Sequence, residues 1–263
     1  MGYTIPDLPK HMCKHTMVIT KDKEQMVIGG FQEREDGFYC ASRKNCYILK
    51  NGKWLLHSSY QKYRMSITAI TMPNGIYIFG GNTKGFGNIC EFLPNGSQKW
   101  QLCPEIPKCQ EFNGEGVAIS STELVLIGGF VNPKMVMKFN IITNTWSDIG
   151  QLKIGRIHHR CVVFDNKIFV CGGIMKEALP NDNRSFHYKH MKATEVISLT
   201  NGFSSEIVAD FNLTRVAFGL GVLRKNGNEN LIAFGRSCKK PGDEYSSHDD
   251  SVEMWNKREQ KWE

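Results

Sequence analysis

The sequence predicts an all-β chain built from five copies of one four-stranded antiparallel sheet. Three observations carry this. A short apolar run ending in Gly-Gly recurs through the chain, an aromatic–tryptophan pair recurs in phase with it, and no window sustains the 3.6-residue apolar period of a helix.

The Gly-Gly runs are residues 26–30 (MVIGG), 77–81 (YIFGG), 125–129 (VLIGG) and 169–173 (FVCGG), and 231–236 (LIAFGR) is a fifth copy with one glycine. Measured at Gly30, Gly81, Gly129, Gly173 and Arg236, the spacings are 51, 48, 44 and 63 residues. Ahead of each run lies another apolar or β-branched stretch, such as 65–72 or 160–164. Turn residues, 73–75 (PNG) or Asp165-Asn166, separate the two. That is a hairpin signature. A third strand follows a segment of variable length, for example 134–139. A fourth begins near the tryptophan of the pairs Tyr47/Trp54, Phe92/Trp100, Phe139/Trp146 and Trp255/Trp262. Only the fourth repeat lacks its tryptophan, with Phe203 as the nearest aromatic. One such sheet cannot cover both of its faces, but neighbours stacked radially can, with each tryptophan filling the gap between blades.

In its Gly-Gly, following aromatic and tryptophan the chain resembles the kelch-repeat family along its whole length. The resemblance implies a β-propeller of five four-stranded antiparallel blades, spanning about 13–60, 64–107, 114–152, 158–212 and 216–263 as a single domain. Residues 6–10 (PDLPK) repeat 104–108 (PEIPK), which follow Trp100. An N-terminal segment, 1–12, is therefore expected to complete the last blade and close the ring. The alternative is a fragment of a six-bladed ring.

Composition narrows the function. The 263 residues carry 33 Lys+Arg against 26 Asp+Glu, with 41% hydrophobic and 22% charged residues, which is ordinary for a globular chain. The nine cysteines include no Cys-x-x-Cys and several lie in apolar runs (Cys90, Cys161, Cys171), as expected of reduced thiols in a cytoplasmic protein. There is neither a secretory h-region nor a run of ~20 apolar residues, so no membrane partner is expected. A net charge of +7 without a basic cluster argues against nucleic acid.

By resemblance, ligands meet the segments after the Gly-Gly strand (31–45, 82–88, 130–134, 174–193 and 236–251) and those leading into each first strand. The candidate ligand-binding residues are Lys14, Phe31, Arg64, Phe130, Arg156, His158 and Arg215. An Arg just before the inner strand implies a guanidinium at the mouth, so Arg64, Arg156 and Arg215 together favour an acidic peptide. The opposing picture is a set of arginines already neutralised by carboxylates such as Glu33, Glu35, Asp36 or Glu115.

Other chemistry is weaker. His187 and His190 lack a third ligand at metal-site spacing. Gln32-x-x-x-Asp36-x-x-x-Cys40 has the spacing of a nitrile-specifier iron site, but Gln stands where that site has Glu. The acidic stretch 243–250 reads as a solvated loop. The expectation is a non-catalytic protein- or peptide-binding propeller without cofactor or metal. Resemblance implies a substrate-recognition module of a ubiquitin ligase or an actin-associated scaffold. The enzyme alternative is a sugar-active kelch protein such as a sialic-acid mutarotase.

Overall fold

The computed structural model describes residues 6–9, 12–33, 39–42, 44–81, 87–109, 111–179, 182–225, 227–235, 237–238 and 251–263. No helix occurs among them. Five four-stranded sheets follow in sequence order, each with its strands adjacent in chain order, and these are the blades of a β-propeller. Blade 1 is Thr16–Ile19, Gln25–Ile28, Asn45–Lys50 and Lys53–Ser59; blade 2 is Thr68–Met72, Gly75–Phe79, Cys90–Pro94 and Gln101–Cys103. Blade 3 is Glu115–Ala118, Glu123–Ile127, Met135–Asn140 and Thr145–Gln151. Blade 4 is Arg160–Phe164, Lys167–Cys171, Thr194–Ser198 and Ser205–Ile207; blade 5 is Gly219–Lys225, Asn228–Phe234, Val252–Asn256 and Lys261–Trp262.

The hairpins form where the sequence supplies left-handed residues. Asn51 and Gly52 (φ 50° and 70°) join the third and fourth strands of blade 1, and Asp165 and Asn166 (54° and 55°) join the first two of blade 4. Positive φ at both central residues matches the right-handed twist of the strands. The Gly-Gly pairs do a different job. At Gly80 and Gly81 φ is 59° and 103°. The Gly80 amide bonds the third strand at Ile89, while the Gly81 amide reaches the Phe112 carbonyl ahead of the next blade. A Cβ on Gly81 would lie 2.8 Å from the Met65 carbonyl oxygen, so a side chain is excluded by space as well as by φ.

The chain divides into two compact units, 1–124 with 139–146, and 125–138 with 147–263. In the first, Met26, Ile28, Cys46 and Ile48 of blade 1 share a core with Tyr60, Ile67, Ile76, Ile78 and Trp100. In the second, Phe164, Cys171 and Val196 of blade 4 pack with Phe211, Phe218, Leu231, Trp255 and Trp262.

The tryptophans differ from expectation in burial. Trp100 and Trp262 are buried, but Trp54 and Trp146 are only half-buried. What the four share is a hydrogen bond. Each indole N–H donates to chain preceding its own blade: Trp54 to the Pro6 carbonyl (2.9 Å), Trp100 to Ser58 Oγ (3.1 Å), Trp146 to the Pro104 carbonyl (3.0 Å) and Trp262 to Thr194 Oγ1 (3.0 Å). The two half-buried rings have carbonyl acceptors and the two buried rings have hydroxyl acceptors.

Residues 1–5, 10 and 11 lie outside the described residues. For the rest of the N-terminal segment the expectation of closing the last blade is corrected. The fourth strand of blade 5 is Lys261–Trp262, and Met12 pairs with Gln32. The last sheet already has its four strands, so the N-terminal hydrogen-bonding groups find their partners in the first repeat.

Candidate interaction face

In blades 1, 4 and 5 the chain entering the first strand pairs with the chain leaving the Gly-Gly strand. Met12–Cys13 pairs with Phe31–Glu33, which also pairs with Tyr39–Ser42. Ile157 bridges Ile174. Thr214–Arg215 pairs with Ser237–Cys238. Segment 174–193, expected as a loop, is a hairpin of Ile174–Leu179 and Asp182–His190. The paired backbone makes these segments firmer supports for recognition than free loops.

The three arginines overturn the expected basic mouth. Arg64, Arg156 and Arg215 are each fully buried. Arg64 Nη2 bonds Glu91 Oε1 at 2.7 Å, Arg156 Nη2 bonds Glu195 Oε2 at 3.4 Å, and Arg215 Nε bonds Glu253 Oε1 at 3.0 Å. Each guanidinium also bonds the first glycine's carbonyl (Gly80, Gly172, Gly235) and the carbonyl two residues before its glutamate (Ile89, Ala193, Ser251). The same carboxylates accept the backbone N–H three residues ahead of each arginine, from Gln61, Lys153 and Asn212. One module thus ties the entry segment to the second and third strands of its own blade. The charge is neutralised inside the sheet, so none of the three is available to an acidic ligand.

Burial pulls the Arg64 and Arg156 guanidiniums down from their usual range, and their glutamates oppose this. The partners are not the loop carboxylates considered above; Glu35 and Asp36 lie outside the described residues. They are missed by spacing alone because they follow their arginines by 27, 39 and 38 residues. A signal did exist: Cys90-Glu91-Phe92, Thr194-Glu195-Val196 and Val252-Glu253-Met254 each place one acid inside a largely apolar third strand.

Next to this module, His158 is exposed and His159 fully buried. Neither ring nitrogen of His159 makes a well-formed hydrogen bond, leaving only a weak contact with the Ile127 backbone. Burial, then the Arg156 and His158 charges, push its pKa down to about 3. Lys14 is exposed, and Lys14, Ser66, His158 and Ala217 all take positive φ (51–53°) at the turn into a first strand. The Phe31 backbone pairs with Cys13; its side chain lies outside what is described.

Phe130 has company. Lys176 Nζ sits 4.7 Å from the centre of its ring, and Lys176 is directly opposite Tyr188 in the 174–190 hairpin. Residues opposite one another project to the same side of a sheet. Phe130 and Tyr188, 37% and 46% exposed, therefore flank one lysine, and Val131 beside them is also exposed. Among the described residues no group of three potential ligands could hold a metal ion. No helix there is long and apolar enough to cross a membrane.

No family model matches the chain. It is similar to Kelch-like protein 38 of Rattus norvegicus, 24% identical over 189 residues (69% of this chain, 32% of that protein). It is similar to Kelch-like protein 15 of Mus musculus, 22% identical over 258 residues (90% and 40%). Kelch-like protein terF of Aspergillus terreus is 26% identical over 147 residues (49% and 28%). The chain thus spans 28–40% of the length of these curated relatives. The solved structure of YjhT superposes with a TM-score of 0.76 at 11% identity, covering 96% of this chain and 83% of that one. Repeat pattern, sheet topology and relatives agree on a kelch-type β-propeller.

Proposed function

We propose that this chain is a non-catalytic propeller that binds a protein or peptide, serving as the recognition part of a larger assembly. The observation that carries this reading is the Phe130–Lys176–Tyr188 group, two exposed rings with a lysine, of which Lys176 and Tyr188 are paired across a hairpin. Rings of this kind offer contact area at small conformational cost and recur as anchors of binding surfaces. The kelch names of the relatives support an interaction module, and a substrate-recognition role in a ubiquitin ligase or on the cytoskeleton is one such use. With the three arginines engaged, an acidic ligand is not favoured by them; a peptide with an apolar or aromatic anchor beside a carboxylate suits the group that is exposed.

Selection of a displayed peptide library against the chain tests the proposal. Peptides sharing an anchor motif should emerge, and Tyr188→Ala should weaken them about tenfold or more. Interconversion of sialic-acid anomers above background, abolished by Phe130→Ala and Tyr188→Ala, would instead establish the sugar-active reading.

A further inference from the structure

We propose that Cys90 and Cys103 form an oxidation site for hydroperoxides, in which Cys103 reacts with the peroxide and Cys90 resolves the product as a disulfide across the third and fourth strands of blade 2. The two residues lie directly opposite one another in the ladder, so their side chains project to the same side of the sheet. The pairs Glu91–Leu102 and Phe92–Gln101 fix the register on one side, and the Ile106 N–H bonds the Asn88 carbonyl at 2.9 Å on the other. Opposed Cβ atoms lie about 4.5–5.5 Å apart, and a disulfide needs about 3.5–4.5 Å. Gln101–Cys103 ends its sheet and has three residues, so a small shift of this strand closes the gap. Cys13, Cys46, Cys161 and Cys171 instead face Phe31, Ser58, Val170 and Thr194 across their ladders.

The two thiols divide the work. Cys103 is half-buried and Cys90 is fully buried. A hydrogen bond from Cys90 pulls the Cys103 thiol below its usual range, while burial lifts Cys90 above it. The thiolate is the nucleophile, so Cys103 attacks first. In blade 1 the place of Cys103 is held by Ser58, opposite Cys46, and the Ser58 Oγ accepts the Trp100 indole N–H. The corresponding indole, Trp146, donates instead to the Pro104 carbonyl, which leaves that place in blade 2 to the thiol pair. The Cys103 thiolate takes one peroxide oxygen, the O–O bond breaks, and the other oxygen leaves as an alcohol or water after gaining a proton. Cys103 is then a sulfenic acid. The Cys90 sulfur attacks the Cys103 sulfur, the S–O bond breaks, and the hydroxyl leaves as water with the Cys90 proton. The thiol pair loses two electrons and the peroxide gains them.

In the test, reduced chain 1–263 is treated with hydrogen peroxide, denatured, alkylated and mapped by mass spectrometry. Alkylatable Cys90 and Cys103 should disappear together, in a linked peptide that dithiothreitol reverses, before exposed Cys13 is oxidised. Cys90→Ser should leave Cys103 as a sulfenic acid that dimedone traps. Cys103→Ser should slow the oxidation of Cys90 about tenfold or more. The proposal is overturned if Cys90 survives peroxide in the wild-type chain, if Cys13 is oxidised first, or if Cys103 links to Cys109 instead. Unchanged oxidation of Cys90 in Cys103→Ser overturns it as well. Should Cys90→Ser not fold, Cys103→Ser, at a half-buried position, decides alone.

Discussion

Arg64 and Glu91 meet at 2.7 Å with both side chains fully excluded from solvent, and the second Glu91 oxygen accepts the Gln61 backbone N–H at 2.8 Å. The relationship recurs as Arg156–Glu195 and Arg215–Glu253, so each of these arginines holds a blade's entry segment to that blade's own second and third strands. In blade 3 the place of the arginine is taken by Phe112, whose carbonyl accepts the Gly81 amide as the Arg215 carbonyl accepts that of Gly173. The place of the glutamate is Met137, two residues after Met135, whose carbonyl accepts the Gly128 amide. Both are buried.

Breaking one pair should therefore be worse than removing it. Arg64→Ala or Glu91→Ala should each cost about 3–5 kcal/mol, because the partner is left as an uncompensated buried charge. The double change to Phe and Met, copying blade 3, should cost clearly less than either single change. Urea unfolding of the three variants makes the comparison.

His159 should make the fold acid-sensitive. Its native pKa of about 3 lies below the ordinary 6.5 of the unfolded chain. Stability is thus fully present above about pH 6.5 and is lost as pH falls toward 3, by up to about 4 kcal/mol. Against His159→Phe, the wild-type urea midpoint should fall progressively between pH 6.5 and 4, and the difference should be constant above pH 7.

The indole anchors should rank by burial. Trp100→Ala and Trp262→Ala should cost about 3–5 kcal/mol, while Trp54→Ala and Trp146→Ala should cost less, since half of each ring already meets water. Thermal or urea denaturation gives the order directly.

Thiol chemistry should divide the cysteines. Cys103 lies directly opposite Cys90, and a hydrogen bond from Cys90 lowers its pKa while burial raises that of Cys90. Burial lifts Cys46 and Cys171 to about 12. Native-state alkylation at pH 8 should modify Cys103 and exposed Cys13 well before Cys46, Cys90 or Cys171.

Much of the fold was legible because its strictest requirements fall on few residues. Gly80-Gly81 needs positive φ and lacks room for a Cβ, and each tryptophan donates one hydrogen bond to chain before its own blade; both leave a fixed period in the sequence. The burial of Arg64, Arg156 and Arg215 was legible only from the other side, in the lone glutamates Glu91, Glu195 and Glu253 of the third strands. An arginine at a strand entrance has the same sequence whether it faces water or a glutamate 27 to 39 residues away. The 174–190 hairpin was hidden for another reason. Glu177, His187, Tyr188 and Lys189 are all exposed, so no alternation of apolar and polar residues marks its strands.

Hydrogen exchange of chain 1–263, with and without a selected anchor peptide, tests the binding account most directly. The account predicts slowed exchange in 130–134 and in the hairpin strands Ile174–Leu179 and Asp182–His190. The outer strands Gln101–Cys103 and Ser205–Ile207 should be unchanged. Protection confined to those outer strands, or none in the hairpin at saturating peptide, would contradict it.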